Sequence, residues 1–420
     1  MKHDILRRIG QSLFVFGTAI LFAGAVPARG ADGEWPQWRG PKRDNISTET
    51  GLLKDWPEKG PELAWKGTGL GGGFSSVSIA GGKIFTMGDQ KDGAYIIALD
   101  MSGKKLWATK VGQAGGGQGY PGPRCTPTVD GDRVYATGQY GDLVCVEAES
   151  GKEVWHTNLE SDLGGRMMSG WGYAESPLVD GDHVICAPGG DKGTLAALDK
   201  KTGKVVWRSK DLTDAACYAS LVPAEIGGAH QYLVLTDASV AGISSDGAVL
   251  WRVKRHGGTA VIPTPVYKDD TVYVTSGYGA GCNAIKVSGS ATALKGEQIY
   301  ANTDMKVHHG GVVLLGDYVY GSSDPGILTC MELKTGKVVW KDRSVGKGSL
   351  ACADGRLYLR SEGSGEVALV EASPDGYKEH GRLKQPDRSK AAAWPHPVIA
   401  GGKLYLRDQD VLLCYEIKAK

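Results

Sequence analysis

The heptapeptide Lys201-Thr202-Gly203-Lys204-Val205-Val206-Trp207 recurs letter for letter at Lys334–Trp340. Looser copies end at Trp107 (SGKKLW), Trp155 (SGKEVW) and Trp251 (DGAVLW). A second element precedes each of them: a short alternating strand, a tight turn and another strand. It reads IAGGKIFTMG from Ile79, VDGDRVYATG from Val129 and VDGDHVICAP from Val179. It returns as YKDDTVYVTS from Tyr267, LLGDYVYGSS from Leu314, ADGRLYLRSE from Ala353 and IAGGKLYLRD from Ile399, with a looser IGGAHQYLVL from Ile226. That makes eight units spaced by about 40–50 residues, the period of a four-stranded propeller blade.

Each unit reads as four strands. The first is short and apolar, the second alternates, the third is apolar throughout and the fourth ends at the tryptophan. Asp-Gly, Gly-Gly and Ser-Gly turns separate them. The last unit stops after its third strand, Leu412–Tyr415, while the N-terminal side has a spare fourth strand, Gly60-Pro61-Glu62-Leu63-Ala64-Trp65. The fold class expected is therefore all-β: an eight-bladed β-propeller of four-stranded antiparallel blades. Pairing of the N-terminal strand with the last blade closes the ring and removes exposed sheet edges. Trp65, Trp107, Trp155, Trp207, Trp251 and Trp340 are expected to dock neighbouring blades together.

Composition agrees. Glycine supplies 63 of 420 residues, about twice the usual ~7%. It follows no triplet period, which excludes collagen. Lys plus Arg is 48 and Asp plus Glu is 47, a net charge of +1. That balance excludes strong electrostatic capture by nucleic acid or anionic lipid. Residues 1–30 read as a signal peptide: Lys2, Arg7 and Arg8 precede an apolar stretch from Leu13 to Val26, and Ala28-Arg29-Gly30 suits cleavage after Gly30. The domain reading is thus 1–30 signal peptide, 31–59 N-terminal extension and 60–420 propeller. The protein is expected to be exported, periplasmic or extracellular, soluble once cleaved, and monomeric.

The stretch Ala197–Trp207, A-L-D-x-x-T-G-K-x-x-W, resembles the tryptophan-docking repeat of the PQQ-type eight-bladed propellers, and the likeness runs over residues 60–420. The opening Trp35–Pro41 (WPQWRGP) and the closing Trp394-Pro395-His396-Pro397 resemble exported PQQ-binding-like repeat proteins. Two relatives imply different functions. Quinoprotein alcohol dehydrogenases, similar in blade motif, imply PQQ and calcium over the propeller centre. They carry an adjacent Cys-Cys pair, a Glu/Asn/Asp calcium set and a catalytic Asp, and this sequence has no Cys-Cys dipeptide. The BamB-like propeller of the outer-membrane assembly machinery implies a non-catalytic scaffold. That relative is a lipoprotein, and no cysteine here precedes Cys125.

Eight cysteines in an exported chain invite disulfides. Cys145, Cys330 and Cys414, however, take the same third-strand position in three blades, too far apart to pair. Buried small hydrophobes are the expectation. Cys125, Cys217 and Cys352 lie near first strands, close to the channel. No Cys-x-x-Cys or His/Cys cluster has zinc spacing.

Function on a propeller collects where each fourth strand returns to the next first strand, around the channel mouth. The alignment of units places Arg124, Trp171, Glu175, His308, His309, Trp394 and His396 there as ligand-binding candidates, with Thr264 and Arg166 nearby. Glu175 reads as a calcium ligand, a general acid or a satisfied rim residue. The tryptophans read as stacking platforms or as packing under loops. His308 and His309 are neighbours on a strand, so their side chains should point apart, and no metal site is expected of them. No catalytic residue is assigned. The functional expectation is an exported non-catalytic scaffold whose partner is a cell-envelope or extracellular protein, or a glycan, and not nucleic acid. The alternative is a PQQ/calcium-dependent oxidoreductase or a carbohydrate-active propeller using the channel mouth.

Overall fold

In the computed structural model, which describes residues 33–420, every unit folds as its pattern dictates. The leader at 1–30 lies outside the described residues. Blade 2 shows why. Thr128–Asp130, Arg133–Thr137, Asp142–Glu147 and Glu153–Asn158 pair antiparallel in succession. The third strand is buried on both faces because blades pack on either side of it, which is why it is apolar rather than alternating. The fourth strand forms the outer edge and alternates towards solvent. Eight such sheets form the ring, and no α-helix occurs among the described residues; a single 3-10 turn lies at Gly117–Gly119. No helix there is long and apolar enough to cross a membrane.

Ring closure is direct. Glu62–Gly67 pairs antiparallel with Val411–Glu416, setting Trp65 opposite Cys414, and so completes the blade of Val398–Ala400 and Lys403–Asp408.

The repeated Gly and Trp are two halves of one joint. Five of the six docking tryptophans lie against a glycine of the following blade, next to or within its last hairpin: Trp65 on Gly103, Trp107 on Gly151, Trp155 on Gly203, Trp207 on Gly247 and Trp251 on Gly296. A Cβ on any of these glycines would sit 2.5–2.8 Å from the ring. In the fifth blade Tyr300 replaces the tryptophan and packs on Gly336 in the same way. Several indoles also donate across the joint: Trp107 to the Ala148 carbonyl (3.3 Å), Trp155 to Lys200 (3.0 Å) and Trp340 to Ser373 (3.0 Å). The close approach, with a φ of +72° at Gly203, predicts that Gly203→Ala lowers stability by about 1–3 kcal/mol. Denaturant unfolding checks this; a change below about 0.5 kcal/mol would mean the joint tolerates a Cβ.

All eight cysteines are buried and free. Cys145, Cys330 and Cys414 each face a tyrosine of the second strand and a tryptophan of the fourth within their own blade.

The segment before the propeller packs into one end of the central channel. Trp35 exchanges two 2.8 Å backbone hydrogen bonds with Ile79 on the innermost strand of blade 1, and the Pro36 carbonyl accepts from Val129 in blade 2. Ile46–Ser47 adds a parallel strand inside Gly348–Ala353 of blade 7. Between them, Arg39 and Arg43, each about 1% exposed, reach across to other blades. Arg43 donates to the carbonyls of Ser176 (3.1 Å), Pro177 (2.6 Å) and Leu221 (2.9 Å), and to the Gln37 side chain. Arg39 donates to the carbonyls of Arg43, Asp44 and Val312. Asn45 donates to the Leu350 carbonyl. The plug thus joins blades 1, 2, 3, 4, 6 and 7. It enters from the face of the first hairpin turns, where Glu49 meets Gly402 at 2.6 Å and Asp354 meets Leu52 at 2.9 Å.

Candidate functional site

With one end plugged, the channel is a blind well. It opens at the face where first strands begin and encloses about 360 Å³. Its floor is Trp38 of the plug, whose indole donates to Thr264 Oγ1 at 2.9 Å and packs on His396 with ring centroids 4.5 Å apart. Its wall is aromatic. Trp394 packs on Phe74 (4.5 Å between centroids) and Tyr120 (5.0 Å), and Trp171 lies 6.3 Å from Tyr218. Tyr120 and Tyr278 stand at the rim, 47% and 55% exposed.

The polar groups are few and placed on opposite walls. Arg124 is held by the carbonyls of Tyr120 (2.7 Å) and Trp171 (3.0 Å) and lies 5.8 Å from the centroid of the Phe74 ring. Burial lowers its pKa, although it remains a cation at neutral pH. Across the well stand His308, His309, Lys347 and Glu362. Glu362 accepts from the Trp394 indole at 2.7 Å, and its other oxygen faces Lys347 Nζ at 3.5 Å. Lys347 also lies 3.5 Å from Asp324. His396 Nε2 meets the His309 carbonyl at 3.1 Å, while its Nδ1 meets Asn45 Nδ2 at 3.2 Å. Since Asn45 Nδ2 can only donate, Nε2 carries the ring proton and donates it to His309. Burial pushes His396 down to about 3, so the ring is neutral.

The structure thus brings together Arg124, Trp171, His308, His309, Trp394 and His396 from the sequence candidates, with Thr264 under the floor tryptophan. Two expectations are corrected. Glu175 does not line the well: its neighbours Ala174 and Ser176 do. The extended backbone turns Glu175 away, and its Oε2 accepts from the Ala187 amide at 2.7 Å. His308 and His309 do not diverge. Their strand, Val307–Leu315, loses register between Val307 and Val312, with Gly311 at a φ of +64°, so strict alternation is suspended and both rings face the well. Arg166 lies outside it, at 4.0 Å from Asp191. Cys125, Cys217 and Cys352 pack between blades rather than against the channel.

Sequence reasoning missed Trp38, Phe74, Tyr120, Tyr218, Tyr278, Lys347 and Glu362. Phe74 and Tyr218 sit a few residues ahead of a first strand, the position that identified Arg124. Glu362 and Tyr278 come from second-to-third-strand turns, which look like ordinary turn chemistry.

Glu175 makes its own prediction. Burial pushes its carboxyl up to about 8 from an ordinary 4.5, and one of its oxygens has no partner. The folded state therefore holds a proton that the unfolded chain releases. The associated stability is fully present below about pH 4.5 and drains away as pH rises towards 8. Glu175→Gln keeps the acceptor for Ala187 and removes the titration. Its melting temperature should overtake that of the parent chain increasingly between pH 5 and 8; a constant difference would mean Glu175 is ionised in the fold.

Comparison with known proteins reaches the same ring from sequence. The family model described as outer membrane protein assembly factor BamB matches residues 91–342. The outer membrane protein assembly factor BamB of Yersinia pestis is 27% identical over 289 residues, covering 63% of this chain and 67% of that protein. The chain spans about two thirds of the length of the first curated relatives it matches. Among solved structures, BamB from Moraxella catarrhalis superposes with a TM-score of 0.55 at 17% identity, covering 80% of this chain and 94% of that one. Quinohemoprotein alcohol dehydrogenase from Comamonas testosteroni superposes with a TM-score of 0.66 at 12% identity, covering 92% and 81%. At such identities the two superpositions speak for the fold alone.

Proposed function

Because the chain belongs to the outer membrane protein assembly factor BamB family, we propose that it is an exported cell-envelope scaffold that binds a protein partner at the open mouth of its channel. The family match across 91–342 carries the proposal. The geometry supports it: the opposite face is closed by the plug, while the mouth offers a concave, aromatic, partly exposed surface. Such surfaces suit apolar and aromatic anchors of a partner polypeptide.

PQQ and calcium have no part in this reading. Calcium takes six to eight oxygen ligands. The well offers one carboxylate, Glu362, beside three imidazoles, a guanidinium and an ammonium. No cysteine lines it to supply the adjacent pair of the quinoprotein dehydrogenases.

The test is the double variant Tyr120→Glu/Tyr278→Glu. Both side chains are about half exposed and each gives up one ring contact, so stability should fall by no more than about 1–2 kcal/mol and the fold should persist. In the organism that makes the chain, the variant should reduce outer-membrane β-barrel protein levels as far as gene deletion does. Normal levels in both the variant and the deletion strain would refute the proposal. So would saturable, calcium-dependent PQQ binding in a calorimetric titration.

A further inference from the structure

One feature of the well goes beyond scaffolding. His308, His309 and Glu362 each offer a donor atom, and the three atoms lie within 4.8 Å of one another. His309 is 6% exposed, yet neither of its ring nitrogens has a hydrogen-bond partner, and His308 Nδ1 is likewise unpartnered. Buried polar atoms without partners are uncommon and call for a reason. We propose that these three residues bind a divalent first-row transition-metal ion, with the remaining coordination positions open to the well.

The donor set selects the ion class. Two imidazole nitrogens and one carboxylate suit zinc and its neighbours in the first row rather than calcium or magnesium. Three protein ligands with open positions is the pattern of reactive zinc sites. Around an ion at ~2.0–2.1 Å from each nitrogen, tetrahedral donors stand about 3.3 Å apart. Side-chain rotation must therefore close the present separations. The surroundings hold the ligands for it. His396 fixes the His309 carbonyl, and the Trp394 indole takes one Glu362 oxygen, leaving the other for the ion.

Lys347 pairs at 3.5 Å with Glu362 Oε2, the oxygen left for the ion. Binding displaces it towards Asp324, which it already faces at 3.5 Å. The ammonium therefore competes with the metal, and its removal should tighten binding.

The test is titration of the untagged, chelator-treated chain with Co²⁺, read by its visible absorption, and with Zn²⁺, read by calorimetry. One ion per chain is expected. His308→Gln, His309→Gln and Glu362→Gln should each weaken it at least tenfold, and Lys347→Met should tighten it severalfold, while the remote His156→Gln leaves it unchanged. Glu362 and Lys347 are partly exposed, so their variants keep the test decisive should His309→Gln misfold. No saturable binding, or binding indifferent to Glu362→Gln and Lys347→Met, overturns the proposal. The outcome is independent of outer-membrane protein levels, so it separates from the scaffold test.

Discussion

Arg43→Met should lower the stability of the propeller by about 3 kcal/mol or more and expose the segment 33–59 to protease. Burial lowers the Arg43 guanidinium to about 10, which leaves it charged at neutral pH. It is held by three backbone carbonyls from two blades, at 2.6–3.1 Å. Methionine fills the space and removes the buried charge, which offsets part of the loss. It also leaves the buried Ser176 and Leu221 carbonyls without their donor, at about 1–3 kcal/mol each, while the Pro177 carbonyl keeps Thr128 Oγ1 at 2.6 Å. Lysine should rescue only partly, because an ammonium cannot reproduce the planar fork. Denaturant unfolding gives the energy, and limited proteolysis shows whether the plug is released. A loss below about 1 kcal/mol with the plug still protected would mean that Arg43 does not anchor it.

Trp251→Ala should cost about 3–5 kcal/mol, as for other buried aromatic truncations. Trp251 is 4% exposed and lies in the apolar layer between blades 4 and 5, among Val272, Val274, Ile285 and Leu294. Its indole donates to Gln231 at 2.6 Å, and its face covers Gly296. Truncation opens a cavity at the joint and strands the Gln231 oxygen. Phenylalanine should recover the packing but not the hydrogen bond. Thermal or denaturant unfolding measures both variants; a loss below about 1 kcal/mol for alanine would remove the docking role.

Why the repeat was legible and the well only in part follows from physics. Strand and joint chemistry is local and repeats eight times, so Lys201–Trp207 and its copies specify blades, turns and docking partners together. The spare strand at Glu62 and the missing one after Tyr415 made ring closure readable for the same reason. The residues lining the well are each unique to one blade and gain meaning only when the ring closes. Alignment found those directly ahead of first strands, such as Arg124 and Trp394. It misplaced Glu175 by one residue, which on extended backbone reverses the direction of the side chain. It failed at His308-His309 because a local loss of register is invisible in the residue pattern. The plug was hardest to read: Arg39, Arg43 and Asn45 lie in a short polar segment whose partners are carbonyls in four blades, and carbonyls leave no mark in sequence.

The most direct test of partner binding at the channel mouth is photo-crosslinking in living cells from two positions, Tyr278 at the mouth and Asp132 on the plugged face. A partner held at the mouth gives discrete protein adducts from Tyr278, identifiable as outer-membrane assembly components, and none from Asp132. Adducts of equal yield from both positions, or adducts from Asp132 alone, would contradict it.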